Sequence, residues 1–188
     1  IGNRKLLIND TLMLGANIFY DNEIDYGHTR ASFGVEAISS VGSLRANQYY
    51  AISMWKNVGE SQEKALDGSD IEVGVPLPYL PWTNFYLRTF EWKGVDGAAD
   101  LKGDEMSLEA KLPLGLNVEV GKRSNDGLTE DQEIIKLTWT CCNREEQNFG
   151  ISDKAYSLTS VADQRFQKVR RQNLIVKQQG FNFSAGGF

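Results

Sequence analysis

The chain holds a single histidine, His28, in a polar stretch beside Asp25 and Tyr26. A hydrolase needs a nucleophile, a base and an orienting carboxylate that converge in space. No serine motif accompanies His28, so it reads as a loop residue and no enzymatic activity is expected. Cys141 and Cys142 are adjacent. Neighbouring cysteines cannot take ordinary disulfide geometry without strain, and no second pair supplies a metal site. The acidic stretches at 57–68 and 124–131 lack the ligand spacing of a calcium loop. Gly94 and Gly97 precede no helix, as a nucleotide site would require. No cofactor or metal is implied. The remaining charges are of another kind. Arg30, Glu36, Arg45, Asn47, Glu72, Glu109, Lys111 and Glu119 occupy alternate positions in segments whose other residues are largely apolar. Side chains so placed can line a pore or grip an extended chain within it. The plainer reading is a polar interior whose residues are hydrated or paired.

The segments that position these residues are extended. In 11–57, Leu12, Leu14, Ala16, Ile18 and Tyr20 share one face, and Gly15, Asn17 and Asp21 the other. Ala31, Phe33, Val35 and Ala37 alternate with Arg30, Ser32, Gly34 and Glu36. Leu44, Ala46, Tyr50, Ile52 and Met54 alternate with Arg45, Asn47, Ala51 and Ser53. A side-chain period of two means strands, and these exceed the usual five or six residues. Long strands with one apolar and one charged face are the pattern of a transmembrane β-barrel, apolar toward lipid and polar toward the lumen.

The totals agree. With 41% hydrophobic residues and a mean hydropathy of -0.38, the chain has no apolar run long enough for a transmembrane helix. A net charge of -5 and a pI near 5.0 argue against nucleic acid as a partner. Further strands are predicted at 4–8, 69–77, 83–93, 106–112, 116–123 and 133–140. In 83–93 the faces Phe85, Leu87, Glu91 and Tyr86, Arg88, Phe90, Trp92 leave the lipid side undecided. The connections alternate: short at 9–10, 40–42, 78–82 and 113–115, long at 23–28, 57–68, 94–104 and 124–131. Outer-membrane barrels sort short periplasmic turns from long extracellular loops in this way. About nine strands result, an odd number, whereas a barrel in lipid must close. The sequence begins without an apolar signal region, and both a signal and further strands are expected before Ile1. After Cys142 the alternation ends. Residues 153–167 could hold a helix, and 169–179 are basic around Leu174, Ile175 and Val176. The run Lys168-Val169-Arg170-Arg171 reads as passing through an acidic lumen or resting in solvent rather than binding an acidic surface.

Several stretches carry a resemblance. They are residues 13–21 (MLGANIFYD), His28-Thr29-Arg30 leading to Gly34-Val35-Glu36-Ala37, Ala46-Asn47-Gln48-Tyr49-Tyr50 and Trp55-Lys56. With them go Gly68-Ser69-Asp70-Ile71, residues 77–81 (LPYLP), and Arg165-Phe166 with Val169, Arg171, Asn173, Ile175 and Val176. In order and spacing they resemble the membrane domain of the intimin and invasin family, the inverse autotransporters. The resemblance implies a twelve-stranded barrel, which puts three strands before Ile1. It further implies that the chain re-enters from the periplasm, threads the pore partly as a helix and presents adhesive domains outside. Two departures stand. No immunoglobulin-like passenger follows, and residues 181–188 (FNFSAGGF) alternate and end in Phe as terminal barrel strands do. A passenger beyond Phe188 and a relative without one both remain open.

The expectation is therefore an all-β protein, an antiparallel transmembrane β-barrel with a C-terminal linker. Residues 1–142 form the barrel domain. Residues 143–188 form a linker that threads the pore or contributes a terminal strand. The expected task is an outer-membrane anchor and translocator for a surface adhesin. Its partners are outer-membrane lipid, its own linker or passenger, and a receptor on a host or neighbouring cell. The alternatives are a passenger-less channel or structural barrel and a soluble β-barrel that binds a ligand in an apolar interior.

Overall fold

The computed structural model describes residues 1–59, 61–126, 131–139 and 150–180. Cys141, Cys142 and the terminal stretch 181–188 lie outside the described residues, as do residues 127–130 of the acidic stretch 124–131. The strands are β1 (Gly2–Leu7), β2 (Leu12–Asn22), β3 (Thr29–Ser39), β4 (Gly42–Ala51), β5 (Lys56–Val58) and β6 (Ser61–Ala65). They continue as β7 (Gly68–Leu77), β8 (Leu80–Trp92), β9 (Leu101–Leu112), β10 (Leu116–Asn125), β11 (Gln132–Trp139) and β12 (Lys177–Gly180). Nine of them form one antiparallel sheet in the order β1-β2-β3-β4-β7-β8-β9-β10-β11, and a second sheet has the order β12-β6-β5. The large sheet is open among the described residues: β1 and β11 each pair on one side only.

The alternation seen in the sequence sorts this sheet into two unlike faces. Ile18, Phe33, Leu44, Ile71, Val73, Leu87, Met106, Ile135 and Leu137 are exposed on the outer face. Tyr20 and Tyr50 stand near its long-loop end and Trp139 near its short-turn end, all exposed, the positions of interfacial aromatic girdles. The inner face buries Arg30, Glu36, Arg45, Asn47, Asp70, Glu72, Arg88, Glu105 and Glu119. A soluble barrel would bury the apolar set and hydrate the charges. This inversion overturns the soluble alternative. The ambiguous segment resolves with it: Phe85 and Leu87 face outward, while Tyr86, Arg88, Phe90 and Trp92 are buried. Arg88 decides the face, because its guanidinium reaches Glu72 at 2.7 Å, and Phe90 and Trp92 follow by parity to pack with Tyr49 and Leu66.

Some boundaries move. The third predicted strand, whose alternation reaches Met54, ends at Ala51. There Asp67 Oδ1 accepts the Ala51 N–H at 2.7 Å, and the Thr29 carbonyl accepts from Ile52 at 3.0 Å. The long loop that follows contains the hairpin β5–β6. The predicted loop 94–104 gives up its end to β9, which begins at Leu101. The helix expected within 153–167 is reduced to one 3-10 turn, Ala162–Phe166. Upstream of it the backbone is committed elsewhere. The Ala155 carbonyl accepts from Tyr79 N–H at 3.3 Å, and Val161 N–H donates to the Asp10 carbonyl at 2.8 Å.

Candidate functional site

One row of inner-face residues crosses the sheet at a single register level. The pairings Arg4↔Gly15, Gly15↔Glu36, Glu36↔Arg45, Arg45↔Glu72, Glu72↔Arg88, Arg88↔Glu105 and Glu105↔Arg123 follow one another across β1, β2, β3, β4, β7, β8, β9 and β10. Beyond Gly15 the charges alternate in sign at every step. The ion pairs are Arg4–Glu36 at 2.5 Å, Arg45–Glu36 at 3.8 Å, Arg45–Glu72 at 3.2 Å, Arg88–Glu72 at 2.7 Å, Arg88–Glu105 at 3.7 Å and Arg123–Glu105 at 2.6 Å. Glycine interrupts the row for a steric reason. A Cβ on Gly15 would stand 2.5 Å from Glu36 Oε1, so only the bare backbone lets Glu36 reach across β2 to Arg4. Each buried charge needs its partner, because removing one member of such a pair costs about 3–5 kcal/mol.

The segment 150–180 lies along this face. At the short-turn end, Ser152 N–H donates to the Tyr79 carbonyl at 2.8 Å, and Ser40 Oγ donates to the Ser157 carbonyl at 2.9 Å. Val161 packs against Met13 and Ile38 with Leu6 beside them. Further along, Arg4 Nη1 donates to the carbonyls of Gln164, Arg165 and Gln167 at 3.0, 3.1 and 2.6 Å. Arg30 donates to the carbonyls of Gln172 and Leu174 at 2.7 and 3.1 Å. Gln172 N–H donates to Tyr49 Oη at 2.8 Å, and that hydroxyl donates to Asp70 at 2.6 Å. At the long-loop end, Leu66 N–H donates to the Val176 carbonyl at 3.0 Å, and β12 adds to β6.

Side chains of the segment answer the sheet in return. Arg170 meets Glu72 and Glu119, each at 2.8 Å, and its guanidinium lies 3.6 Å over the Tyr86 ring. Gly74 makes room for that ring: a Cβ there would stand 2.5 Å from Tyr86 Cε1. Arg171 makes a two-point pair with Asp21 at 2.6 and 2.8 Å and lies 4.1 Å over the Phe19 ring. Lys177 sits between Glu23 at 3.0 Å and Glu63 at 2.7 Å.

Of the residues singled out from sequence, Glu36, Arg45 and Glu72 fall in the charged row. Arg30 is wholly buried and pairs with Asp21 at 2.7 Å. Asn47 donates to Asp70 at 2.8 Å. Glu119 accepts from Ser107 at 2.6 Å. Glu109 accepts from Tyr86 Oη at 2.9 Å. Lys111 is half-buried nearer the short turns, with no ion pair among the described residues. His28 lies in the loop between β2 and β3 and is 0% exposed there. Its Nδ1 is 3.2 Å from Ser53 Oγ, and its Nε2 lies 3.8 Å from Glu63. Burial pushes the His28 imidazole below its ordinary 6.5, against the pull of Glu23 and Glu63. The hydrogen bond from Lys177 holds the Glu63 carboxyl below its ordinary 4.5. Arg4, Asp21, Asp70, Arg88, Glu105 and Arg123 were not singled out; Arg170 and Arg171 were read only as part of the basic run Lys168-Val169-Arg170-Arg171. For the strand residues the missing signal was register carried across the connections, which places Arg88 level with Glu72 across the short turn and Glu105 level with Arg88 across the longer loop after β8.

Comparisons with known proteins agree with this geometry. The family described as "Inverse autotransporter, beta-domain" matches residues 1–173. The inverse autotransporter adhesin YeeJ of Escherichia coli (strain K12) is 24% identical over 179 residues, 88% of this chain and 8% of its own length. Invasin of Yersinia enterocolitica is 31% identical over 97 residues, 50% of this chain and 12% of its own length. The chain thus spans a small part of these relatives. A solved chain from a study of the in-meso crystallization of membrane proteins shares the fold with a TM-score of 0.72 at 19% identity, covering 95% of this chain and 78% of that one. An antiparallel sheet with an apolar outer face, a charged inner face and a match over nearly its whole length gives the assignment: the chain belongs to the inverse autotransporter β-domain family of the bacterial outer membrane.

Proposed function

We propose that the chain is the membrane anchor of a surface-exposed adhesin, a β-barrel whose lumen holds its own C-terminal linker. The carrying observation is the path of residues 150–180 over the charged face, from the short turns at Asp10, Ser40 and Tyr79 to the long-loop hairpin β5–β6. In an outer-membrane barrel the short turns face the periplasm and the long loops the exterior. The linker therefore runs outward, with Lys177–Gly180 at its exterior end. Arg30, Glu36, Arg45, Asn47, Glu72, Glu109, Lys111 and Glu119 line the lumen in this reading, and in lipid the edges of β1 and β11 are closed by further strands. No step of this task is covalent. Backbone hydrogen bonding holds the sheet in lipid, and the polar lumen admits an extended chain. A receptor on a host or neighbouring cell would be met by the passenger.

Directional labelling tests the reading. Single cysteines at Lys154 and Gln178, in a background lacking Cys141 and Cys142, are treated in intact cells with a membrane-impermeant maleimide. Labelling at 178 and protection at 154 is the expected result, and the reverse pattern sinks the orientation. A passenger-less channel predicts in addition that the lumen conducts ions with residues 150–180 in place. The anchor predicts appreciable conductance only after they are deleted.

A further inference from the structure

Two kinds of contact hold the segment, and they differ in what they can recognise. Arg4 and Arg30 donate to carbonyls of Gln164, Arg165, Gln167, Gln172 and Leu174. Every residue offers a carbonyl, so this grip is blind to sequence and would tolerate a chain sliding past. The carboxylates Glu119, Asp21, Glu23 and Glu63 instead take side-chain cations. Within the charged row every carboxylate already touches an arginine of the row. Off the row the balance depends on the segment. Glu119 has Arg170 at 2.8 Å, against 3.5 Å to Lys136, the other cation it meets. Asp21 shares Arg30 with a two-point contact from Arg171. Glu23 and Glu63 both hold Lys177.

We propose that Arg170, Arg171 and Lys177 set the register of the linker, determining which residue of the exported chain comes to rest at each level of the barrel. The inference rests on the lumen-linker reading above. Its logic is combinatorial. Shift the chain outward by one residue and Val169 faces the Glu72–Glu119 socket while Val176 faces Glu23 and Glu63. Shift it inward by one and Gln172 faces Asp21 while Gln178 replaces Lys177. A two-residue outward shift brings Lys168 to the first socket but Val169 to the second. Each slip leaves a buried carboxylate opposite an uncharged side chain, so one alignment satisfies all three sockets. The competing determinant is Val161, seated among Met13, Ile38 and Leu6 at the short-turn end.

An insertion separates the two. Cysteine pairs are placed at both ends in a background lacking Cys141 and Cys142. One pair is Met13→Cys with Val161→Cys. The other is Val95→Cys with Gln178→Cys, where the Gln178 amide now bonds both the N–H and the carbonyl of Val95 at 3.0 and 3.1 Å. A short bifunctional thiol reagent is applied to the protein in its native membrane, and both links are expected. One glycine is then inserted between Phe166 and Gln167. The three cations as register setters predict that the 95–178 link survives and the 13–161 link falls to background. Adding Arg170→Gln, Arg171→Gln and Lys177→Gln to the insertion reverses that outcome. Retention of the 13–161 link with loss of 95–178 while the cations are intact overturns the proposal. So does a pattern that the triple substitution leaves unchanged. Absence of both links before any insertion overturns the lumen-linker reading itself, a distinct failure.

Discussion

Replacing Glu72 by glutamine is the most informative single change in the charged row. The carboxylate is 2% exposed and touches Arg88 at 2.7 Å, Arg170 at 2.8 Å and Arg45 at 3.2 Å. Breaking a buried ion pair costs about 3–5 kcal/mol when the abandoned charge has no other partner. Here each arginine retains one. Arg170 keeps Glu119 at 2.8 Å, while Arg88 and Arg45 keep only the longer contacts to Glu105 at 3.7 Å and Glu36 at 3.8 Å. Glutamine also preserves shape and one acceptor. The expected loss is therefore about 2–4 kcal/mol, and about 3 kcal/mol is roughly a 150-fold change in the folded-to-unfolded ratio. Urea unfolding of the protein reconstituted in lipid vesicles measures it. Glu91→Gln, at an exposed ion pair, serves as the control and should change stability by at most about 0.5 kcal/mol. In a cycle with Arg88→Gln the two losses should fall short of additivity by about 1–3 kcal/mol. A Glu72→Gln loss no larger than the control, or strict additivity with Arg88→Gln, would refute the claim that the row is a coupled network.

Three further outcomes are expected. Val73→Arg places a cation on the outer apolar face and should cost about 2–4 kcal/mol in vesicles, read by the same unfolding assay; a neutral result would mean that this face does not meet lipid. Gly74→Ala forces the Tyr86 ring aside, since the new Cβ would also stand 2.6 Å from Ser43 Oγ. It should cost about 1–3 kcal/mol and speed hydrogen exchange at Gln172, whereas unchanged exchange would separate Tyr86 from linker docking. Acidification should loosen β12. His28 is held below its ordinary 6.5, so its neutral form stabilises the fold above that pH and the contribution is lost as pH falls below it. Glu63 is held below its ordinary 4.5, so its pairing with Lys177 is lost lower still, once pH has fallen below that value. Exchange at Leu66 and in β12 should rise in two stages on lowering pH, and His28→Gln should abolish the upper one.

The two faces of the sheet were legible because lipid and lumen impose opposite polarity on alternate residues, as Ile18 against Asn17 and Val73 against Glu72 display. β8 was not legible, because Phe90 and Trp92 are apolar yet face inward to cover Tyr49 and Leu66. Local alternation cannot say when aromatic residues close one end of a polar interior. The charged row needed cross-strand register, which follows from turn lengths rather than from any one strand. The individual partners of Arg170 and Arg171 were hidden for a different reason. Their partners Glu72 and Asp21 lie 98 and 150 residues earlier, so only the assembled fold brings them together.

That distance in sequence also orders events in time. The contacts within the charged row join strands that are neighbours or next neighbours in the sheet, and closing short loops is fast relative to joining distant segments. The row can therefore complete itself as hairpins are added, whereas the contacts of Asp21 with Arg171 and of Glu119 with Arg170 must wait for residues 150–180. Until that segment arrives Asp21 has Arg30 and Glu119 has Ser107 and Lys136, and water fills the remaining places, so the interior is wet during assembly and loses water when the segment docks. The sheet is built to stand first and to receive residues 150–180 afterwards, and the arginines that complete its electrostatic balance are made after its nine strands.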